Sequence, residues 1–342
     1  MTKKVVTFGE IMIRLTTQNF ERFLQSKGFE VTFGGAEANV AVSLANYGLD
    51  SYYVTKIPNN PIGQMAINSL RQYGVNTDLI VRGGSRLGVY YLEKGVAQRP
   101  SKIVYDRAGS SIAQVKSDDF EWINIFKDVD WFHVTGITPA LSAELAEVTI
   151  DAVRIAKEMG VRVSIDLNYR KNLWTPEEAN KVMSKVAQYV DVCIANEEDA
   201  EKVFGIKAKG TDIVSGKLDE EGYHDVIHQL VDRFGFKYVA ITLRESFSAS
   251  RNGWSGLLYD GNNFYRSQHY DITPIVDRVG GGDSFGSGLI YALLSGKGPQ
   301  AAVDFASAAS CLKHSIPGDY NLFSLDEVEF LAQGNASGRV QR

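Results

Sequence analysis

Cysteine is nearly missing from this sequence: its 342 residues include two, Cys193 and Cys311, each in apolar company. Two such residues build no disulfide framework and no metal cluster, and each reads as a buried thiol behaving like a small hydrophobe. Proline is sparse, 8 in all, and glycine has no repeating period, which excludes collagen-like and low-complexity chains. Positive charge is not in excess, since 36 Lys and Arg against 41 Asp and Glu leave a net charge of −5. The summed field that non-specific nucleic-acid or anionic-membrane binding relies on is therefore lacking. No segment approaches the ~18 uninterrupted apolar residues of a transmembrane helix. The apolar start Val5-Val6-Thr7-Phe8 is too short for a signal-peptide core and is ended by Glu10. The expectation is a cytoplasmic chain with no nucleic-acid or membrane partner.

Familiar nucleotide and metal motifs are missing too. Gly216-Lys217 and Gly296-Lys297 lack both the following Ser or Thr and the earlier Gly of a phosphate-binding P-loop. No G-x-G-x-x-G occurs, which removes the main support for a dinucleotide dehydrogenase. Zinc-type His-Glu-x-x-His and Cys/His clusters are also lacking. His133, within a strand-like run, reads as a core residue.

What is present is an ordinary globular mix, 44% apolar and 23% charged, with 17 Phe, 16 Tyr and 4 Trp spread along the chain. Short apolar runs (Val5–Phe8, Ser51–Ile57, Trp131–Thr135, Val161–Asp166, Val190–Ala195, Tyr238–Leu243) alternate with helical spacings (Asn39–Tyr47, Gly63–Tyr73, Leu141–Met159, Pro176–Gln188). Thr175-Pro176-Glu177-Glu178 and Ser324-Leu325-Asp326-Glu327 carry helix-start chemistry. Such alternation predicts a three-layer α/β/α fold with a mostly parallel central sheet. Residues 11–34 and 86–111 instead alternate with the two-residue strand period, and Lys94–Ser101 reads as a hairpin loop between two strands. These stretches are too short for separate cores; together they read as a small β-sheet lid, and periodicity alone equally allows two surface excursions without a role. Residues 1–10, 35–85 and 112–333 form the main domain in this reading. Residues 205–224 are expected to be a loop insertion, and 334–342 a mobile tail.

The richest stretch is Asp277-Arg278-Val279-Gly280-Gly281-Gly282-Asp283, leading into an apolar helical run. Successive glycines let backbone N–H groups converge, and the helix start adds orphan donors and a positive dipole end. Together they suit a phosphate or a developing negative charge. Asp283 there either caps the helix or takes a proton. Gly34-Gly35 with Asn39 marks a second bare-backbone helix start, suited to sugar hydroxyls. Asp166-Leu167-Asn168-Tyr169-Arg170 and Asn196-Glu197-Glu198-Asp199 follow strands, at the edge where open α/β sheets bind ligands. Thr242-Leu243-Arg244-Glu245 repeats that placement. The acids near 196–199 either stabilise a helix N-terminus or hold Mg²⁺ through water.

These residues resemble the ribokinase-like carbohydrate kinase family, the phosphofructokinase-B group. Gly34-Gly35 with Asn39 looks like its N-terminal sugar-binding motif, and Asp277-x-x-Gly280-x-Gly282-Asp283 like its C-terminal motif. The resemblance covers nearly the whole chain and implies ATP as donor, Mg²⁺, Asp283 as catalytic base and Gly280, Gly281 and Gly282 as an anion hole. Tyr105-Asp106-Arg107, Asp166–Arg170, Thr242–Ser246, Lys313–Asp319 and Ser337–Arg342 are most similar to the 2-keto-3-deoxygluconate kinases within that family. Carried over, Gly34, Gly35, Asn39, Tyr90, Tyr105, Arg107, Arg170 and Asp319 would contact a sugar acid. Asn168, Asn196, Thr242, Arg244, Glu245, Gly280 and Gly282 would lie along the nucleotide. The family's Asn-x-x-Glu is Asn196-x-x-Asp199 here, which leaves Asp199 a shorter carboxylate for water-mediated contact with the metal. A monovalent cation near Asp277 and a homo-oligomer joined through the lid complete the expectations. A neutral-sugar or nucleoside kinase of the same family and a non-catalytic sugar sensor on the same scaffold are the competing readings.

Overall fold

The computed structural model describes residues 2–196, 198–207 and 220–335. Its strands are β1 (Lys4–Phe8), β2 (Met12–Thr17), β3 (Phe29–Gly34), β4 (Asp50–Ile57), β5 (Ile80–Arg82), β6 (Gly88–Glu93), β7 (Lys102–Asp106), β8 (Trp131–Thr135), β9 (Arg162–Asp166), β10 (Val192–Asn196), β11 (Tyr238–Ser248), β12 (Arg251–Tyr259), β13 (Phe264–Arg266) and β14 (Tyr270–Ile272). The helices are α1 (Ala36–Asn46), α2 (Pro61–Arg71), α3 (Trp122–Ile125), α4 (Ala143–Glu158), α5 (Pro176–Ala187), α6 (Asp199–Phe204), α7 (Glu220–Phe234), α8 (Gly281–Leu294), α9 (Pro299–Lys313) and α10 (Leu325–Ala332).

Ten strands form the large sheet, in the order β13-β12-β11-β10-β9-β8-β1-β4-β5, with β14 paired to β12. From β5 to β11 every pairing is parallel, while β12, β13 and β14 add an antiparallel margin. Both faces are covered, so the parallel strands are apolar almost throughout; β8 is buried at every position. One face packs against α3–α7 through Leu145, Val153, Met183, Val203 and Leu230. The opposite face packs against α1, α8, α9 and α10 through Leu44, Phe285, Leu289, Phe305 and Val328. That is the three-layer arrangement the alternation predicts. Thr175 and Ser324 cap α5 and α10 with reciprocal capping boxes.

A separate sheet runs β3-β2-β6-β7 and is drawn from the two alternating stretches. In β2 the buried positions include Met12, Arg14 and Thr16, which places a guanidinium on the face turned toward the body of the molecule.

Two sequence expectations change. Residues 220–224 are not loop but the first turns of α7, an amphipathic helix whose Ile227 and Leu230 enter the core. Residues 208–219 of that expected loop lie outside the described residues. So does 336–342, which holds the Ser337–Arg342 motif and most of the expected tail. The Val190–Ala195 run begins its strand later, at Val192, so Asp191 sits before β10, buried, and accepts from Lys157 and Lys237 and from the Val163 N–H. Among the described residues no helix is long and apolar enough to cross a membrane.

Candidate active site

The chain runs from β1 to β4 and β5 on one side, and through β8 to β11 on the other. Where strand order reverses, the loops after the C-terminal strand ends part and leave a crevice. The cleft found there is about 400 Å³ and reaches from the small sheet to the end of β11. It gathers Gly35, Asn39, Tyr90, Tyr105, Arg107, Arg170 and Asp319 with Asn168, Asn196, Thr242, Arg244, Gly280, Gly281, Gly282, Asp283 and Asp199.

Gly280 is the N-cap of α8, with φ 84° in the left-handed region, and a β-carbon there would strike the Asp319 carbonyl. Glycine is required on both counts. At Gly281 a β-carbon would meet the His314 ring at 2.7 Å, so packing explains that residue. Only Gly282 has open space beside it, and it faces the cleft. Asp283 follows on the first turn of α8 and accepts from Asn39 Nδ2 at 2.6 Å. Burial pushes its carboxyl up to about 7, assisted by Asp319 and Glu37 and opposed by the Asn39 hydrogen bond and Arg170. The start of α8 favours the ionised acid, but desolvation outweighs the dipole.

Gly34 and Gly35 are places of close approach. A β-carbon on Gly34 would strike the Asp319 carboxylate, and one on Gly35 the Glu10 carbonyl. Gly34 therefore supports Asp319 from outside the cleft rather than lining it. Asp319 is 4% exposed. It accepts from Tyr90 Oη at 2.6 and 2.7 Å and from Arg14 Nη1 at 2.7 Å.

The two expected carboxylate forks differ. Arg107 is already paired: its Nε donates to Glu10 Oε2 at 2.8 Å, Nη2 reaches the same oxygen, and Ser110 Oγ donates to Oε1 at 2.5 Å. Arg170 is exposed at the rim, with one hydrogen bond to the Tyr169 carbonyl at 3.0 Å. β9 ends at Asp166, and Asn168 has φ 38°, so Asp166, Asn168 and Arg170 meet the cleft through a turn and not by strand alternation.

Asp199 is buried and accepts from the N–H of Tyr169 at 3.0 Å and of Asn196 at 3.1 Å, clasping the ends of β9 and β10. Burial, Asp199 and Asp283 together push Asp166 well above the carboxylate range. Among the described residues no group of three or more His, Cys, Asp or Glu is arranged to hold a metal. Glu245 does not line this cleft; it is exposed on β11 with His269 at 3.5 Å.

Sequence reasoning missed Glu10, Arg14, Glu37 and Arg278. Glu37 is buried and accepts from Thr135 N, Thr135 Oγ1 and Thr138 Oγ1 at 2.7–2.9 Å, fastening α1 to the end of β8. Arg278 lines the cleft and donates to the carbonyls of Ser248 and Ala249. Glu10 was open to discovery by the strand-end rule that exposed Asp166 and Asn196, since it follows β1.

A glycine-led helix start, an acid with a raised pKa beside it and cations around the rim suit transfer of a phosphoryl group to a hydroxyl. Residues 2–324 match the model described as pfkB family carbohydrate kinase. The chain belongs to that family and is a phosphotransferase with an alcohol group as acceptor. It is 32% identical over 338 residues to a 2-dehydro-3-deoxygalactonokinase of Haloferax volcanii, covering 99% of each chain. The crystal structure of a 2-dehydro-3-deoxygluconokinase from Thermotoga maritima is 53% identical, with a TM-score of 0.93 over 97% of this chain and 100% of that one. A putative ribokinase II from E. coli, in complex with ATP and Mg²⁺, shares the fold at 20% identity and a TM-score of 0.81, covering 98% of this chain and 100% of that one.

Proposed function

We propose that this chain uses ATP to phosphorylate the terminal hydroxyl of a 2-dehydro-3-deoxy sugar acid, with Asp283 as general base. Asp283 carries the reading: it is a half-buried acid whose carboxyl is pushed up to about 7, beside Gly282, the turn glycine with open space at its side. The Asp283 carboxylate takes the hydroxyl proton as the substrate oxygen bonds to the γ-phosphorus, and the bond to the ADP oxygen breaks. Amides of the Gly280–Gly282 turn and the start of α8 face the charge that spreads over the phosphoryl oxygens. Arg170 takes the sugar carboxylate; Arg107, held by Glu10, borders it through its remaining donor. Tyr90, Tyr105, Asn39 and Gly35 surround the sugar. Asn168, Asn196, Thr242, Arg244 and Arg278 follow the nucleotide.

The donor set fits Mg²⁺ arriving on the nucleotide, which keeps several waters and takes one or two carboxylates. Asp166, with Asp199 behind it, is the group to receive such a hydrated ion, which would supply charge neutralisation to the phosphates. Both sugar names among the relatives support the substrate class. Pairing of two copies through the small sheet belongs to the same proposal, supported by exposed Phe29, Val31, Ile103 and Val104 on its outer strands. The cytoplasm, where ATP is plentiful, is the compartment proposed.

The test is ADP release with 2-dehydro-3-deoxygluconate, its galactonate epimer, ribose, fructose and adenosine. A keto-deoxy acid is expected to exceed the neutral substrates at least ~100-fold in kcat/KM, as a carboxylate-binding site should discriminate. Preference for a neutral sugar or adenosine overturns the proposal.

A further inference from the structure

Behind the Gly280–Gly282 turn lies an ionic cluster sealed from solvent. Arg14 of β2 is 2% exposed; its Nη2 meets Asp277, Nη1 meets Asp319 at 2.7 Å, and Nε donates to Thr16 Oγ1 at 2.7 Å. Lys313, the last residue of α9, is 0% exposed. Its Nζ donates to the Ile316 carbonyl at 3.4 Å, and its Cε lies 3.4 Å from where a β-carbon on Gly280 would stand. Burial works against this ammonium and pulls its pKa below the usual lysine value, while Asp277, Asp319 and Asp283 favour the charge and Arg14 opposes it. Few proteins bury a lysine completely without a use for its charge, because the desolvation cost is large.

The monovalent cation expected near Asp277 does not fit this cluster. Both Asp277 oxygens are spent: Oδ1 accepts from Val279 N at 3.1 Å, and Oδ2 from Gly318 N at 3.2 Å and from Arg14. Arg14 already pairs with both buried carboxylates and the Lys313 ammonium is buried behind the same turn, so a third cation would stand uncompensated in the interior.

We propose that Lys313 is this kinase's own fixed monovalent cation: a positioning residue whose ammonium sets the Asp277–Gly282 turn from behind and replaces an exchangeable ion. The proposal rests on reading that turn as the phosphoryl-transfer site. The segments involved are already laced together, Val276 N donating to the His314 carbonyl at 2.8 Å and Ser310 Oγ to the Gly281 carbonyl at 2.7 Å. Lys313 adds charge at the one point where the lacing meets the turn.

The experiment has two readouts. Wild-type turnover is measured at constant ionic strength with tetramethylammonium, Na⁺, K⁺ or NH₄⁺ as the sole monovalent cation. Rates within twofold are expected, and stimulation of tenfold or more by K⁺ overturns the proposal. Lys313→Met and Lys313→Ala are then compared with wild type for kcat, for ATP and sugar affinity by calorimetry, and for melting temperature. Lys313→Met is expected to lose at least tenfold in kcat while both affinities stay within threefold; retained kcat overturns the proposal. The melting temperature of Lys313→Ala is expected to rise with K⁺ or NH₄⁺ over tetramethylammonium while that of wild type does not, and a wild type that responds equally overturns it. The melting comparison needs no substrate, so an error in the assigned sugar leaves it intact.

Discussion

Asn39 and Asp283 stand 244 residues apart in sequence and 2.6 Å apart in space, the side-chain amide donating to the carboxylate. The bond favours the ionised acid and works against the burial that holds the carboxyl near 7. Substrate-side and phosphate-side motifs are thus joined at the reacting group. The pH dependence should show it.

For wild type, kcat/KM should rise with pH and level off above an apparent pKa of about 7, because the base must lose its proton. Asn39→Ala removes a charge-assisted bond of ~1.5–3 kcal/mol and should move that limb upward by ~1–2 units. A limb that stays in place in Asn39→Ala would separate it from Asp283.

Asp283→Asn should lower kcat by ~10²–10⁴-fold while ATP and sugar still bind by calorimetry. The same variant should melt higher than wild type at pH 8. A carboxyl whose folded pKa is raised binds more protons folded than unfolded, so its ionisation costs stability as pH climbs from about 4 through about 7. By pH 4 the two melting temperatures should converge, which a pH series of thermal scans checks.

Gly280→Ala and Gly282→Ala should fail in different ways. The first must hold an L-residue at φ 84° against the Asp319 carbonyl and should lower the melting temperature sharply. The second meets open space and should fold normally while its methyl narrows the cleft and cuts kcat. Equal melting losses would mean that Gly282 also serves packing.

Arg170→Ala should raise KM for the sugar acid about tenfold or more, leave a neutral sugar unaffected, and hardly alter the melting temperature of a side chain so exposed. Arg107→Ala should destabilise by ~3–5 kcal/mol besides, since it strands Glu10, whose side chain is 2% exposed. Denaturant unfolding of both variants, with Glu10→Gln/Arg107→Ala as the relieved pair, tests the distinction.

Much of this could be read from the chain because the signals are local. Continuous apolar runs marked β1, β4, β8, β9 and β10, and the Thr175 and Ser324 capping boxes marked two helix starts. The glycine turn announced itself by composition. The antiparallel margin escaped notice because Tyr238–Leu243 continues as polar strand to Ser248 before returning as β12. Arg14 gave no local hint: its neighbours Ile13 and Leu15 suggest the opposite inward face, and its partners lie 263 and 305 residues away. Glu245 stands off the cleft for a related reason, since β11 outruns the cleft and that side chain is exposed beside His269. A close-set ionic cluster is a property of the assembled fold, and no sequence window contains it.

Arg14 also constrains how the molecule admits its substrate. Because β2 is tied by a sealed guanidinium to Asp277 and Asp319, any swing of the small sheet away from the body must break a buried ion pair and leave its charges uncompensated.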